Sequence, residues 1–387
     1  MDLAKRNLTD IQRYIEFLEQ HNHLIRVKSE VDPLFELAGI AKRFEGGKAL
    51  LFERVKGYDY PVLIGLYWNR DLLAKLLQTD SARLPFVLSD EIRAWQQSPS
   101  EPVIVKQGPA NEVVEPTPDL GKLPIPHHAE GDGGRYLTSS VVIAKDPDTG
   151  VRNLSIHRMM VTGKNRLTLL LEELGHLMDY YKRAEAKGVP LEITVNNGID
   201  FPLTVAAASP ASAAPIEMDE LGIASQMWGE PVTLIEAQTV AVEAIANAQF
   251  VIEGKILPRV REPEGPYAEV TGYYAERDDR WVIEVTAITR RRNPVFHSIL
   301  SGKEVGNAYG ISAAAGAFAK IHGLVPDVTA VHFADGSVPY HLVVQIDKKH
   351  EGSQRTPRVR IVGTVSSCQS WRREAQEDER CRGIRMS

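Results

Sequence analysis

Arg152-Asn153-Leu154-Ser155-Ile156-His157-Arg158-Met159-Met160-Val161 is the stretch on which the reading of the fold turns. Apolar Leu154 and Ile156 alternate with polar Asn153, Ser155 and His157, the two-residue period of a strand. An Asp148-Thr149-Gly150 turn joins this strand to another over 140–144. Further strand patterns follow at 191–195, 232–235, 250–256, 267–274 and 281–289, against one clear helix over 177–186 that stops at Gly188. Many strands with few helices predict a middle domain resembling a β-barrel.

The flanks differ in character. Ile11, Tyr14, Ile15 and Leu18 recur at helical spacing behind a Thr9/Gln12 capping-box pattern. Ile25 and Val27 alternate as in a strand, Asp32-Pro33 is expected to open a second helix, and short apolar runs follow at 49–52 and 62–66. This is an N-terminal α/β domain, 1–115. Seven prolines over 98–128 are expected to form a linker wrapped on the surface across the boundary. The β-rich domain spans 116–305, and a partial C-terminal α/β domain, 306–354, holds a small-residue helix near 312–321 and strands near 328–333 and 341–346. The fold class is therefore α/β (α+β). Residues 355–387 have eight arginines, no lysine, both cysteines (Cys368 and Cys381) and almost no apolar periodicity. That segment reads as a shifted reading frame or as a disordered basic tail, and composition does not separate the two.

Composition excludes several classes. A net charge of −6 with no long basic cluster before the tail argues against nucleic acid as the main partner. No run approaches the roughly 20 apolar residues of a membrane span, and no apolar signal region follows the first methionine. Two cysteines form neither a disulfide framework nor a four-cysteine zinc site, so a cytoplasmic protein is expected. GxGxxG after a strand, GxxxxGK[ST], HExxH and GxSxG are all missing, which argues against dinucleotide, P-loop, zincin and α/β-hydrolase chemistry.

Three polar groups remain. Asn153, Ser155, His157 and Arg158 either need buried partners or form a solvated sheet face. In Pro263-Glu264-Gly265-Pro266-Tyr267-Ala268-Glu269, two glutamates bracket a Gly-Pro turn. Such a turn can bring both carboxylates to one cation, where one stays ionised and burial raises the other until it can donate a proton; a solvated loop is the alternative. His176 and Glu220 with Asn153 would offer a nitrogen and two oxygens, a set suited to Mg2+ or Mn2+. His176 or Glu220 alone is more often a surface or satisfied polar residue than a metal ligand.

Taken together, NLSIHR (153–158), His176, Glu220 with Gly229-Glu230-Pro231, Glu253-Gly254, and PEGPYAE (263–269) with Thr271-Gly272-Tyr273 resemble the UbiD-type decarboxylases in order and spacing up to about Gln354. The resemblance implies a central split β-barrel that binds prenylated FMN, a divalent metal (Mn2+ or Mg2+) and a monovalent cation such as K+. It implies Asn153, His176 and Glu220 as metal ligands. Ser155, Ile156 and Arg158 would line the flavin, Lys348 would approach its phosphate, and Arg158, Glu264 and Glu269 would form the catalytic network. Asn153 and Arg158 fall on opposite faces of a regular strand, so a bulge or strand end between them is expected. The implied reaction is non-oxidative decarboxylation, in either direction, of an aromatic or α,β-unsaturated acid such as a 4-hydroxybenzoate derivative. The implied partners are a flavin prenyltransferase as cofactor supplier and further copies in a homo-oligomer. Ala268 stands where the family usually has glycine, and Gly175 where a glutamine often precedes the histidine. Family members continue beyond this length with a C-terminal α/β portion and an oligomerising helix. A plain FMN-binding protein like the flavin reductases, and an inactive truncated member, are the competing expectations.

Overall fold

The computed structural model describes residues 9–211, 213–333 and 341–347. Lys348 and the 355–387 segment lie outside the described residues. The fold class is mixed α and β, as expected.

Stretches far apart in sequence build the first sheet. Leu24–Val31 and Ala49–Val55 pair in parallel, Val62–Ile64 joins antiparallel, and Phe296–His297 lies parallel at the far edge. The helix Ile11–Gln20 buries Ile11, Tyr14, Ile15 and Leu18, the expected stripe. Its cap is Asp10, not Thr9: the Asp10 carboxylate accepts the Gln12 amide at 2.9 Å. The Gln12 side chain is drawn instead to Gln249 and the Asn293 carbonyl, so no capping box forms. The next helix begins at Glu36 rather than at Pro33. Pro33 and Phe35 exchange backbone hydrogen bonds with His127, and that tertiary pairing pre-empts the first turn.

A nine-stranded sheet forms the middle of the molecule. Its order is Tyr136–Leu137, Met159–Gly163, Arg166–Leu169, Asp278–Arg290, Phe250–Glu264, Leu191–Asn197, Val141–Lys145 and Arg152–Ile156, with Val113–Glu115 also on Asp278–Arg290. The proline-rich stretch is thus only partly a surface linker. Val113–Glu115 joins the large sheet, Val103–Val105 pairs with Thr233–Glu236, and Leu120, Leu123 and Ile125 are buried. Prolines occupy the positions between these pairings, where no ladder donor is needed. The strand expected over 267–274 is a hairpin, Tyr267–Ala268 against Tyr274–Ala275, turning through Gly272 at φ 84°.

Alternation along these strands divides their buried residues between two large cores. Val141 and Ile143 face one, with Leu51 and Leu63; Val142 and Ala144 face the other, with Leu50, Phe52, Val62 and Ile64. Each fully buried aliphatic side chain there contributes roughly 1.5–3 kcal/mol. The helices Phe201–Ala207 and Leu221–Trp228 pack into the first core with almost every residue buried, so they carry no amphipathic signal. Two glycines of the resembling segments are structural. A Cβ on Gly254 would come within 2.7 Å of the Glu284 carbonyl at a shift in strand register, and Gly229 caps Leu221–Trp228 at φ 73°.

Candidate active site

Arg152–Ile156 ends one margin of the large sheet, and the chain leaves it at His157-Arg158 before re-entering at Met159. This is the strand end expected between Asn153 and Arg158. It lets neighbouring residues serve two clusters.

The first cluster gathers at Glu220, the residue before helix Leu221–Trp228. Glu220 is 3% exposed. Its Oε1 accepts the Asn153 amide at 2.9 Å and lies 3.1 Å from His176 Nδ1, while Oε2 accepts the Leu154 N–H at 3.0 Å. His176 is held as the first residue of its helix, His176–Ala186. Ser155 Oγ lies 3.1 Å from Asn153 Oδ1 and 3.0 Å from His157 Nε2. The other ring nitrogen of His157 donates to the Leu170 carbonyl at 2.8 Å, and burial lowers the pKa of the ring to about 4, so it is neutral and Nε2 accepts. The single Ser155 proton therefore faces two acceptors. The cluster holds more acceptor capacity than donors, around a buried carboxylate to which, among the described residues, no arginine or lysine is hydrogen-bonded. That imbalance suits a cation. Among the described residues no three His, Cys, Asp or Glu side chains are placed to hold a metal ion, and the Asn153 amide oxygen is the further candidate donor beside His176 and Glu220. One nitrogen and two oxygens fit Mn2+ or Mg2+.

The second cluster centres on Arg158. Its Nε and Nη2 donate to both oxygens of Glu264 at 3.1 Å, a bidentate pair, and its Nη1 donates to Glu269. The guanidinium carbon sits 5.1 Å from the Tyr267 ring centroid. Glu264 is wholly buried, while the Glu269 side chain is 34% exposed. Burial raises the Glu269 pKa above the ordinary carboxylate value; Arg158 opposes this, and the charges of Glu264 and Glu172 reinforce it. Gly265 turns the chain at φ 97°, which lets two glutamates five positions apart reach one guanidinium.

All expected site residues within the described chain thus fall into these two clusters, apart from Ile156, a half-buried apolar residue between them. Sequence reading missed several neighbours. Arg280 lies 3.9 Å from Glu264 Oε2 through strand pairing with Glu262, and its Nε is buried with no hydrogen-bond partner among the described residues. Asp132 accepts the Ala268 amide at 2.8 Å. Only Tyr267 carried a signal, as part of PEGPYAE. Two surface cavities, of about 530 and 310 Å³, are lined by other residues.

Residues 102–304 match the family model of the 3-octaprenyl-4-hydroxybenzoate carboxy-lyase Rift-related domain, and 15–92 match the model of the N-terminal domain of the same carboxy-lyase. The chain belongs to the UbiD family. This UbiD-family chain is 47% identical over 351 residues to the uncharacterized protein in the cooM 5' region of Rhodospirillum rubrum, covering 90% of this chain and 76% of that one. It is 33% identical to the anhydromevalonate phosphate decarboxylase of Methanothermobacter thermautotrophicus, over 84% of this chain and 75% of that one. An evolved dimeric form of the UbiD-class enzyme HmfF from Pelotomaculum thermopropionicum, solved in complex with prFMN, superposes with a TM-score of 0.84 at 40% identity, covering 89% of this chain and 80% of that one. The apo 3,4-dihydroxybenzoic acid decarboxylase of Enterobacter cloacae superposes at 0.81 and 30% identity, over 88% and 76%. Family and fold together mark this UbiD-family chain as a carboxy-lyase.

Proposed function

We propose that the chain removes CO2, without net oxidation, from an aromatic or α,β-unsaturated carboxylic acid, with prenylated FMN as cofactor. The observation that carries this reading is Arg158 clasped between a buried and a half-exposed glutamate. Relatives that act on a dihydroxybenzoic acid and on anhydromevalonate phosphate support both branches of the substrate class.

Asn153, His176 and Glu220 would hold Mn2+ or Mg2+, whose charge would help to bind the cofactor phosphate, and K+ would be a further cation. Ser155, Ile156 and Arg158 would line the flavin. When bound, prenylated FMN supplies the electron sink that an sp2 carbanion lacks. The remaining work falls to the protein. Arg158 receives the substrate carboxylate on its fork and is held in register by Glu264. Glu269 leaves Arg158 as the substrate carboxylate arrives, and its raised pKa keeps a proton available for the carbon that loses CO2. A flavin prenyltransferase as supplier, a homo-oligomer and a cytoplasmic location complete the reading. Among the described residues no helix is long and apolar enough to cross a membrane.

Glu269→Gln tests the reading. It should retain flavin absorbance and lose CO2 release by about 10²–10⁴-fold. Turnover within a few-fold of the unsubstituted protein would remove Glu269 from its role.

A further inference from the structure

The hairpin that carries Glu269 is gripped from outside by one loop, residues 129–136. Asp132, 6% exposed, anchors that loop. Its Oδ1 accepts the Ala268 N–H at 2.8 Å, and its Oδ2 accepts the Ala129 N–H at 3.1 Å. Beside it the Gly133 N–H donates to the Pro266 carbonyl at 2.7 Å, and Tyr136 Oη donates to the same carbonyl at 3.3 Å. The approach is too close for side chains: a Cβ on Gly133 would fall 2.1 Å from the Gly265 carbonyl oxygen, and one on Gly131 would fall 2.5 Å from the Tyr274 ring. The other side of the Ala268 peptide is held as well, since Ser301 Oγ donates to its carbonyl at 2.7 Å. On the far side of Glu269, the Glu269 N–H donates to the Tyr273 carbonyl at 2.9 Å, closing the turn.

We propose that Asp132 is the positioning residue for Glu269. The inference rests on the reading of Glu269 as proton donor. Both Asp132 oxygens are occupied by backbone amides, so Asp132 sets where the Glu269 backbone stands instead of exchanging protons with substrate. The glutamate side chain must leave Arg158 and reach a carbon, and it needs a fixed backbone from which to do so. A displacement near 1 Å at a reacting group costs about 100-fold in rate.

Asp132→Ala and Asp132→Asn, each loaded with cofactor, are compared with the unsubstituted protein for kcat, KM, flavin absorbance, pH profile and hydrogen exchange of the peptide containing Ala268. Asp132→Ala should lower kcat by about 100-fold, leave KM and absorbance unchanged, and speed exchange at Ala268. Asn keeps an acceptor for the Ala268 N–H, so Asp132→Asn should recover most of the kcat with an unshifted pH profile and intermediate exchange. Recovery by Asn separates an acceptor from a titrating acid, and it decides the matter if the alanine variant does not fold. Unchanged kcat or unchanged Ala268 exchange in Asp132→Ala would overturn the proposal. So would an Asp132→Asn as impaired as Asp132→Ala, or one with a displaced pH profile. The exchange result does not depend on Glu269 being the acid, so active Glu269→Gln would sink the functional reading while leaving the mechanical grip standing.

Discussion

The two clusters on either side of Ile156 compensate buried charge in opposite ways. Around Arg158, compensation is internal: one guanidinium meets two carboxylates, and the more buried of them is held at both oxygens. Around Glu220, a carboxylate just as deeply placed is met by an amide, a backbone N–H and an imidazole. A buried anion without a fixed cation is costly unless one arrives from outside. The Arg158 cluster is therefore balanced by the folded chain itself, whereas the Glu220 cluster is, on the proposed reading, a seat for a cation. Within the Arg158 cluster the same logic separates the glutamates. Glu264, wholly buried and held at both oxygens, fits a fixed counter-ion, and Glu269, a third exposed and with its pKa raised mainly by burial, fits the proposed proton donor.

The contrast breaks most visibly at Glu264. Glu264→Gln strips Arg158 of its bidentate partner in a fully buried position. It should lower unfolding stability by about 3 kcal/mol, the cost of breaking a buried pair, and abolish turnover as well. Glu269→Gln, at a half-exposed position, should change stability by less than about 1 kcal/mol. Denaturant melts of the two variants check the pair. Equal losses would mean that the glutamates are not divided into a structural and a chemical partner.

The Glu220 cluster is sharpened by metal rather than by mutation alone. Mn2+ at 100 times its dissociation constant should raise unfolding stability by about 2.7 kcal/mol, with no contribution from the Arg158 side. Glu220→Gln should erase that gain, and Glu264→Gln should keep it, read as Tm shifts with and without Mn2+. A gain that survives Glu220→Gln would move the metal elsewhere.

Local chemistry explains which parts of this were legible in sequence. Glu264 and Glu269 are close in the chain, and one turn sets their distance; the helix stripe of Ile11, Tyr14, Ile15 and Leu18 likewise follows from its own spacing. Asn153, His176 and Glu220 could be named from their chemistry as a possible donor set, but only family resemblance brought them to one site, because nothing in their separations says that strand and helix ends converge. The least legible features depend on distant backbone. Asp132 meets an amide 136 positions away, and Phe296–His297 completes a sheet begun at Leu24. The helix Phe201–Ala207 was hidden by its own success in packing: all seven residues are buried, so no polar face marks its period.

His157 stands between the clusters and gives the smallest test. Its ring is neutral in the fold, where burial lowers its pKa to about 4, against an ordinary value of 6.5. Between those two values the unfolded chain binds a proton that the folded chain does not, so stability rises with pH across this window. The contribution is fully present above pH 6.5 and is lost as pH falls toward 4. The slope for one histidine is at most about 1.4 kcal/mol per pH unit. His157→Asn keeps an N–H that can serve the Leu170 carbonyl and removes the titration, so its stability should fall less steeply from pH 7 to pH 5 by about that amount per unit. An unchanged slope would show that the ring takes up its proton in the fold as readily as in the unfolded chain. It would then become a cation beside Ser155 as pH falls through 6.5, and the shortage of positive charge that distinguishes the Glu220 side from the Arg158 side would shrink there.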